Sequence, residues 1–513
     1  MTIRRALLSV YDKTGIAAFA RELHGLGVEL LASGGTAKAL SDERIPVTLL
    51  ESLTGFAELL GHRVVSLHPA VHGGILARRD VPADLAELSA HGIEPIDLVC
   101  VNLYPFEKTV GRLDVAWEDA IEQIDVGGPA LLRAAAKNHA HVVALCRPVD
   151  YGPLLEEFRT RAEVSMETRR ELAARAFQTT AAYDASVAAW FGREDVFPET
   201  YVPVFDRYAE LAYGENPHQR AVYYTQRGAR THLLARVEQI QGKPLSFNNL
   251  GDLSAARLLL LELEGPAAVV VKHGSPCGVA LGKTVEEAFT KAQAADPTSA
   301  YGGVVALNRP VTAKLGRTMA KQFVEVLFAP GYAPDALEAL ARKQAMRILQ
   351  DGERRKDTPG ERDFRRVLGG LLVQDRDVDT QERDAMRVAC GEVADETWDD
   401  LLFAWRVCKH VSSNAIVLAR GLQTIGIGAG QMSRVDAVRI AVEKARALDH
   451  DTSGAVLASD AFFPFVDGVQ LALDAGIAAI VQPGGSRRDA EVEEAVTAAG
   501  AAMVLTGRRH FRH

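Results

Sequence analysis

Short apolar segments alternate with stretches of helical periodicity from residue 4 to about residue 150. The apolar segments read ALLSV, VELLAS, DLVCVNL and HVVALC, which predicts buried strands. Between the first two segments, Ile16, Phe19, Ala20 and Leu23 fall on one face of a predicted helix. Strands that alternate with helices are typical of a parallel sheet with helices on both faces. The N-terminal part is therefore predicted to be an α/β domain.

The pattern changes after this region. A helix-rich segment runs from about Ser165 to Phe191. Residues 192–205 contain two prolines and no clear period, which predicts a linker. The predicted domains are residues 1–195 and residues 205–513.

The C-terminal part contains a short internal match. The segment VKHGSPCGVAL at residues 271–281 is similar to CKHVSSNAIVL at residues 408–418, with an offset of 409 − 272 = 137 residues. A repeat of this size predicts two related α/β subdomains, roughly residues 205–370 and 371–513. It also predicts a Lys-His pair at the end of one strand in each subdomain.

The first of these Lys-His pairs follows a run of valines. These valines are predicted to form a buried strand whose end carries Lys272 and His273. Gly274, Pro276 and Gly278 are predicted to shape the turn that follows. The neighbouring cysteine is predicted to have no chemical role.

Composition and charge narrow the function classes. The chain has 513 residues, 48% of them hydrophobic and 24% charged, with a formal net charge of −9, which gives no general attraction to nucleic acid or to an anionic membrane. The N-terminus has no apolar run long enough for a secretion signal, so a cytoplasmic location is expected. The five cysteines are scattered and form no C-x-x-C pair, which disfavours a disulfide framework or a cysteine-rich zinc site.

A candidate phosphate site lies in the segment SGGTAKAL. A strand is predicted to end there, two glycines allow a tight turn, and Thr36 is predicted to open a helix. Free amides and the helix dipole at such a turn favour a phosphate, although a simple capped turn has the same pattern. Lys13 follows the first strand, at the edge where open parallel sheets bind ligands, and this favours the phosphate site.

Other polar residues are predicted at the same edge of the sheet. Tyr104 ends a strand, Asp125 precedes a Gly-Gly turn, and Lys137 lies at a helix end, which together predict an acid/base site. His68 and His72 are four residues apart, but Pro69 between them disfavours a helical metal site, so loop histidines that face solvent or substrate are predicted.

The motifs SVYDKTG, LAYGENPHQ, LSFNNLGD, GIGAGQMSR and RRHFRH occur in this order along the chain. In these motifs the chain resembles, over essentially its whole length, the bifunctional purine-biosynthesis enzymes that combine 5-aminoimidazole-4-carboxamide ribonucleotide (AICAR) formyltransferase with inosine monophosphate (IMP) cyclohydrolase. The resemblance implies a methylglyoxal-synthase-like N-terminal domain and two cytidine-deaminase-like α/β subdomains. It implies that AICAR is formylated by the cosubstrate 10-formyltetrahydrofolate and that formyl-AICAR is then closed to IMP. It also implies a homodimer with the formyltransferase site at the subunit interface, and leaves a structural monovalent cation open.

The resemblance assigns site residues by position and assigns no metal ligand. The catalytic positions that it implies are Lys272, His273, Asn414, Tyr104, Asp125 and Lys137. The substrate-binding positions that it implies are Lys13, Ser33, Gly34, Gly35, Thr36, Arg63, Asn102, Gly127, Gly128, Tyr213, Asn249, Arg434, Asp467, Arg509 and Phe511.

The chemistry of the two reactions explains several of these residue types. The amine of AICAR is a poor nucleophile, so a neutral imidazole that takes its proton is useful, and His273 is the predicted base. Lys272 is predicted to stabilise charge on the formyl oxygen or to hold the folate, and Asn414 to add a hydrogen bond. Ring closure is intramolecular and needs only modest acid/base assistance.

Two positions depart from the family pattern. Val65 stands where the family usually has a lysine, and Ala212 stands where it commonly has an arginine. The first departure predicts slower cyclisation with a larger role for Lys137, and the second predicts that phosphate is held by Arg509 or another residue.

Two other functions are consistent with parts of the sequence. A zinc nucleoside deaminase is suggested by Pro276-Cys277-Gly278, but the second cysteine and an upstream H-x-E element are missing. An N-terminal domain that mainly binds nucleotide, with weak cyclohydrolase activity, is compatible with Val65.

Overall fold

The computed structural model describes residues 1–61, 63–112, 114–227, 234–352 and 361–513. The chain divides into two compact units, Met1–Val204 and Phe205–His513. The division lies within the segment predicted as a linker. Among the described residues, no helix is both long enough and apolar enough to cross a membrane.

The described residues of the first unit form a five-stranded sheet and ten α-helices. Its strands are β1 (Arg5–Val10), β2 (Glu29–Ala32), β3 (Thr48–Leu49), β4 (Leu98–Asn102) and β5 (Val143–Leu145). Its helices are α1 (Ile16–Gly25), α2 (Gly34–Asp42), α3 (Leu50–Thr54), α4 (Pro69–Leu76), α5 (Pro82–Ala90), α6 (Phe106–Val110), α7 (Trp117–Glu122), α8 (Gly127–Lys137), α9 (Tyr151–Arg161) and α10 (Met166–Phe191).

The sheet is parallel throughout, with the order β3-β2-β1-β4-β5. Successive residues of β1 face opposite cores, since Leu8 packs with α1 and α9 whereas Leu7 packs with α4 and α8. All four apolar positions predicted for α1 are buried. The predicted parallel sheet with helices on both faces is therefore confirmed. The C-terminal ends of β1, β2 and β4 lie along one edge of this sheet, where each strand leads into the next segment.

The second unit contains two six-stranded sheets, two separate two-stranded sheets and nine α-helices among its described residues. Its strands are β6 (Phe205–Glu210), β7 (Val222–Gln226), β8 (Glu238–Gln241), β9 (Ala267–Lys272), β10 (Ser275–Leu281), β11 (Val304–Leu307), β12 (Val326–Ala329), β13 (Arg347–Gln350), β14 (Arg362–Val367), β15 (Gly370–Asp375), β16 (Arg387–Cys390), β17 (Ile416–Ala419), β18 (Thr424–Gly428), β19 (Val456–Ser459), β20 (Ala479–Gln482) and β21 (Ala502–Leu505). Its helices are α11 (Phe247–Leu261), α12 (Val285–Ala295), α13 (Pro297–Ala300), α14 (Ala313–Met319), α15 (Pro334–Leu340), α16 (Asp395–Lys409), α17 (Arg434–Ala447), α18 (Val466–Asp474) and α19 (Asp489–Ala498).

The two large sheets have the same topology. Their orders are β8-β13-β12-β11-β9-β10 and β16-β21-β20-β19-β17-β18, so each strand of the first sheet has a counterpart in the second. Both sheets are mixed, with the three strands that follow the hairpin parallel to one another. The unit is therefore an internal duplication.

The register of the duplication differs from the predicted one. Helix α11 corresponds to α16, and Lys272 at the end of β9 corresponds to Arg420, which follows β17, so the offset here is 420 − 272 = 148 residues. The predicted offset of 137 is wrong, because Lys409 is the last residue of a helix and His410 is its C-cap. The shared Lys-His dipeptide therefore does not mark equivalent positions.

The two sheets meet at their hairpin strands. Ala280 of β10 forms a bridge with Gln423, and the Val279 amide donates to the Thr424 hydroxyl at 3.0 Å. The amide of Leu281 donates to the carbonyl of Leu422 at 2.9 Å. These contacts join the β9–β10 hairpin of one copy to the β17–β18 hairpin of the other.

Candidate active sites

In the first unit, the loop after β2 leads directly into α2. Ser33 is the N-cap residue and the helix begins at Gly34, whose φ is +47°. The prediction that Thr36 opens the helix is wrong. Thr36 lies buried in the first turn, where its hydroxyl accepts from the Val10 amide and donates to the Val10 carbonyl, both at 3.0 Å. This pair of bonds ties the N-terminus of α2 to the end of β1.

Lys13 lies over the same helix N-terminus. Its ammonium donates to Thr36 Oγ1 at 3.3 Å and also contacts the carbonyl of Val10. Burial lowers the pKa of Lys13, while Asp12 opposes that effect. A Cβ added to Gly35 would lie 3.9 Å from this ammonium. The helix N-terminus and the lysine thus present positive charge at one point, which suits an anionic group.

A cavity of about 350 Å³ adjoins this helix N-terminus. Its lining residues are Ser33, Gly34, Ala37, Lys38, Ser41, Leu49, Leu50, Glu51, Phe56, Glu58 and Val65. Val65 therefore faces the cavity with an apolar side chain at the position where the resemblance led us to expect a lysine. Arg63 is exposed and forms an ion pair with Glu122, outside the set of lining residues.

Asp125 and Tyr104 form an acid/phenol pair at the same edge of the sheet. The amides of Gly128 and Tyr104 donate to the Asp125 carboxylate, the first at 2.7 Å. Burial raises the pKa of Asp125, and the two amides only partly offset this. Burial and the nearby charge of Asp125 also raise the pKa of Tyr104, so its phenol stays protonated well above neutral pH.

Gly127 and Gly128 begin α8 directly after this carboxylate. A Cβ on Gly128 would lie 2.5 Å from Asp125 Oδ2, and a Cβ on Gly127 would lie 3.0 Å from Ser66 Oγ. The Tyr183 hydroxyl accepts from the Asp125 amide at 2.7 Å. The close approach of the carboxylate thus requires glycine at position 128, whereas a Cβ at position 127 would need only a small shift of Ser66. Tyr183 was not predicted from the sequence.

Lys137 lies elsewhere in the unit. It is the exposed last residue of α8, ten residues beyond Gly127, which corresponds to about 15 Å along the helix axis. Since α8 runs antiparallel to the strands, Lys137 lies at the opposite edge of the sheet from Asp125 and Tyr104. Within this unit the structure therefore does not bring Lys137 together with Asp125 and Tyr104.

Asn102 and the two histidines have local structural roles. Asn102 Oδ1 accepts from the amides of Tyr11 and Asp12, at 2.6 and 2.8 Å, and so orients the turn that carries Lys13. His68 is the N-cap of α4 and its Nδ1 accepts from an amide, while His72 lies within that helix. His68 thus lies in the segment before the helix, as predicted, whereas the prediction of a loop position is wrong for His72.

In the second unit, Lys272 and His273 lie at the β9–β10 hairpin. Lys272 is the last residue of β9 and pairs with Ser275, so the turn consists of His273 and Gly274. Their φ angles are +53° and +77°, the pattern of a two-residue type I′ turn. The predicted strand end is confirmed, but Pro276 and Gly278 belong to β10 and not to the turn. His273 is exposed, and the Lys272 ammonium donates to the carbonyl of Tyr301.

A cavity of about 330 Å³ lies beside this hairpin. Its lining residues are Lys272, His273, Ser275, Pro276, Cys277, Ala295, Asp296, Ser299, Gly426, Ile427, Ala429 and Lys444. Lys444 and the buried Asp296 form an ion pair at 2.7 Å. Both copies of the duplication therefore contribute to the surroundings of Lys272 and His273.

Asn414 lies in a buried polar network next to the hairpin. Its side-chain oxygen accepts from Arg434 at 2.8 Å, and its side-chain amide donates to the Gln431 carbonyl at 2.8 Å. Arg434 also pairs with the fully buried Asp460. Ser412, two residues before Asn414, lies 3.1 Å from the Ser275 hydroxyl, which places the Asn414 segment beside the hairpin.

The remaining predicted positions lie at different depths. Asn249 is buried at the start of α11, where it forms a capping box with Ser246. Tyr213 lies next to this helix N-terminus, since its carbonyl accepts a hydrogen bond from the Phe247 amide at 3.1 Å. The motif LSFNNLGD thus contains the N-terminus of α11. Asp467 is exposed in the first turn of α18.

Arg509 and Phe511 lie on the C-terminal segment. The Arg509 guanidinium stacks on the Phe511 ring at 4.5 Å, and both residues are exposed. The Ser413 amide donates to the carbonyl of Arg512 at 2.9 Å, so this segment runs beside Asn414. All five cysteines are free, and no group of three His, Cys, Asp or Glu in the described ranges is arranged to hold a metal ion.

Fold and sites together define an α/β enzyme with two separate sites, one at a parallel-sheet edge and one in a duplicated domain. A family model described as "MGS-like domain" matches residues 15–130, and one described as "AICARFT/IMPCHase bienzyme" matches residues 135–444. A relative from Anoxybacillus flavithermus, named bifunctional purine biosynthesis protein PurH, is 48% identical over 516 residues and covers 99% of this chain and 100% of its own. One of the same name from Halalkalibacterium halodurans is 46% identical over 515 residues, with coverage of 99% and 100%.

A solved structure described as the crystal structure of ForH is 41% identical, covers 37% of this chain and 100% of its own, and has a TM-score of 0.34. The chain belongs to the AICARFT/IMPCHase bienzyme family. It is a bifunctional formyltransferase and cyclohydrolase. A first unit that only binds nucleotide is not favoured by these relatives.

Proposed function

We propose that this chain performs the last two steps of IMP synthesis at two sites, formyl transfer at the β9–β10 hairpin and ring closure at the edge of the parallel sheet. The observation that carries the proposal is the exposed His273, held in a tight turn beside the Asn414 network. The substrates are AICAR, 10-formyltetrahydrofolate and then formyl-AICAR.

In formyl transfer, the 5-amine of AICAR forms a bond to the formyl carbon and the bond from that carbon to N10 of the folate breaks. His273 takes the proton of the amine, and the same proton is then available to the departing N10. Lys272 donates toward the formyl oxygen as negative charge develops there. Its ammonium already donates to a backbone carbonyl, so a shift of this side chain toward the substrate is part of the proposal.

Asn414 is proposed to hydrogen-bond the reacting groups. Arg434 occupies its side-chain oxygen and the Gln431 carbonyl occupies one hydrogen of its amide. The second amide hydrogen is therefore the one proposed for substrate. Arg434 is proposed to act mainly by orienting Asn414, since its guanidinium is buried against Asp460.

In ring closure, the carboxamide nitrogen of formyl-AICAR attacks the formyl carbon and water leaves. Asp125 is proposed to take one proton from the attacking nitrogen and to pass it to the former formyl oxygen, whose bond to carbon then breaks. The second proton of the departing water comes from the formamide nitrogen, and Tyr104 is proposed to donate a hydrogen bond to this oxygen as it departs. The raised pKa of Tyr104 supports the donor role, because the phenol keeps its proton. Lys13 and the first amides of α2 are proposed to hold the 5′-phosphate.

The cation expected at position 65 is missing from this site, because Val65 contributes only apolar surface to the cavity. Arg63 is paired with Glu122, and Lys137 is at the other edge of the sheet. We therefore expect ring closure that is retained but slower than in a relative with the lysine.

A homodimer with the formyltransferase site at the subunit interface is the finer part of the proposal. It is supported by the exposure of Asp467, Arg509 and Phe511, which would be covered if a second chain completed the site. Sedimentation of the purified protein at several concentrations tests the dimer, and a monomer with full formyltransferase activity would contradict it. A structural monovalent cation stays a prediction, tested by activity after exchange of potassium for a large organic cation.

Assays of the two half-reactions on the full-length protein test the assignment of the sites. His273→Ala should lower formyl transfer at least a hundredfold and leave closure of added formyl-AICAR unchanged. Asp125→Asn should have the reverse pattern. The matched control His24→Ala removes an exposed histidine of α1 and should change neither rate. Full formyl transfer by His273→Ala would refute the mechanism.

A further inference from the structure

The turn that carries His273 is held from outside the hairpin. Asp252 lies in the second turn of α11, and its carboxylate accepts a hydrogen bond from the Gly274 amide at 2.6 Å. The His273 amide also donates to this carboxylate. In a two-residue hairpin the amides of the turn point away from the ladder and need other partners. A single carboxylate therefore satisfies both turn amides.

The second copy of the duplication contains the same arrangement. Asp400 is the sixth residue of α16, as Asp252 is the sixth residue of α11, and 400 − 252 = 148 is the structural offset. Its carboxylate accepts hydrogen bonds from the amides of Gly421 and Leu422, at 2.8 and 2.6 Å. These two residues form the β17–β18 turn, with φ angles of +60° and +58°.

The two turns differ in what they carry. In the second copy the turn presents Gly421 and Leu422, whose side chains offer no acid/base chemistry. In the first copy it presents His273, which, like Leu422 in the second copy, has a Cβ in the left-handed region, where residues other than glycine are uncommon. A conformation of this kind persists only when its surroundings hold it in place.

We propose that Asp252 is a positioning residue for formyl transfer, which holds the backbone of His273 in the left-handed conformation that aims the imidazole at the amine of AICAR. The inference rests on the proposed role of His273. Asp252 acts through the turn and needs no contact with substrate. Asp400 makes the equivalent hydrogen bonds to a turn that carries no catalytic residue, so it is a matched control within the same chain.

The test compares Asp252→Ala and Asp400→Ala in the full-length protein. Asp252→Ala removes the charged acceptor of both turn amides, so we expect kcat of formyl transfer to fall about tenfold to a hundredfold. The KM for AICAR should stay within about threefold of the parent value. Asp400→Ala should keep kcat within about threefold, although both variants lose a similar amount of thermal stability. Asp252→Asn keeps one carbonyl acceptor and should be intermediate, and it replaces the alanine variant if that one does not fold.

A double variant separates positioning from an independent structural effect. If Asp252 acts through His273, Asp252→Ala should cause no further loss in a His273→Ala background. Equal kcat losses in Asp252→Ala and Asp400→Ala, or a multiplied loss in the double variant, would overturn the inference. Undiminished activity of His273→Ala alone would instead contradict the proposed function, so the two failures are distinguishable.

Discussion

Replacing Glu262 by glutamine should destabilise the second unit strongly, because this carboxylate joins the two copies of the duplication in a buried site. Glu262 is the C-cap of α11, and its Oε1 accepts from Lys409 at 2.9 Å and from His410 Nε2 at 2.7 Å. Both partners lie at the end of α16. The three side chains are 10%, 6% and 11% exposed, so water compensates little for a lost charge.

The expected cost follows from these contacts. Removing one partner of a buried ion pair costs about 3 to 5 kcal/mol, because the other charge is left without compensation. Lys409 would keep the Asp379 carbonyl at 2.8 Å and the Asp377 carboxylate at 3.9 Å. We therefore expect a loss at the lower end of that range, about 3 kcal/mol in the free energy of unfolding.

Tryptophan fluorescence can report this unit selectively. Of the four tryptophans, Trp398 and Trp405 are buried in the second unit, and the other two lie in the first. With both first-unit tryptophans replaced by phenylalanine, urea unfolding should shift by about 1 M, for an m-value of about 3 kcal/mol per molar. Glu264→Gln, two residues away and exposed, is the matched control and should shift the midpoint by less than about 0.2 M. Equal shifts in the two variants would refute the reasoning.

Four further predictions follow from the structure. Lys137→Ala should leave ring closure within about threefold of the parent rate in the formyl-AICAR assay, because this lysine lies at the far edge of the sheet. Gly128→Ala should slow ring closure at least tenfold without changing formyl transfer, since its Cβ would displace Asp125. Val65→Lys should accelerate ring closure. An unchanged rate would contradict the inference that the missing cation at position 65 slows this step. Burial lowers the pKa of His410 below 6.5, so the unfolded chain takes up a proton that the native state resists. The His410 contribution therefore predicts that the unfolding free energy decreases as the pH falls below about 6.5 and is constant above it, which urea titrations at several pH values would check.

Periodicity predicted the elements of the first unit well, because burial on two faces of a parallel sheet imposes it directly. The apolar face of α1 and the long helix that ends at Phe191 were both readable in this way. Periodicity does not give the direction of α8 relative to the sheet, and a helix that returns across a sheet separates residues at its two ends.

The duplication was predicted from the sequence, but from a match that does not join equivalent positions. The Lys-His match was short, whereas the true correspondence rests on topology and on residues such as Asp252 and Asp400, which lie 148 positions apart in otherwise dissimilar segments. Contacts such as that of Asp252 with Gly274, or of Arg434 with Asn414, join residues about 20 positions apart across different elements. No local pattern of residue types signals such contacts.

The meeting of β10 with β18 has a consequence for how this chain reaches its native state. Each of these strands is the last in its own sheet, and each is covered by the other. When the first copy has been synthesised but β18 has not, β10 is an open edge with buried-type residues such as Val279 and Ala280, the kind of surface that templates aggregation. The two copies expressed as separate fragments should therefore precipitate individually and gain solubility when they are produced together.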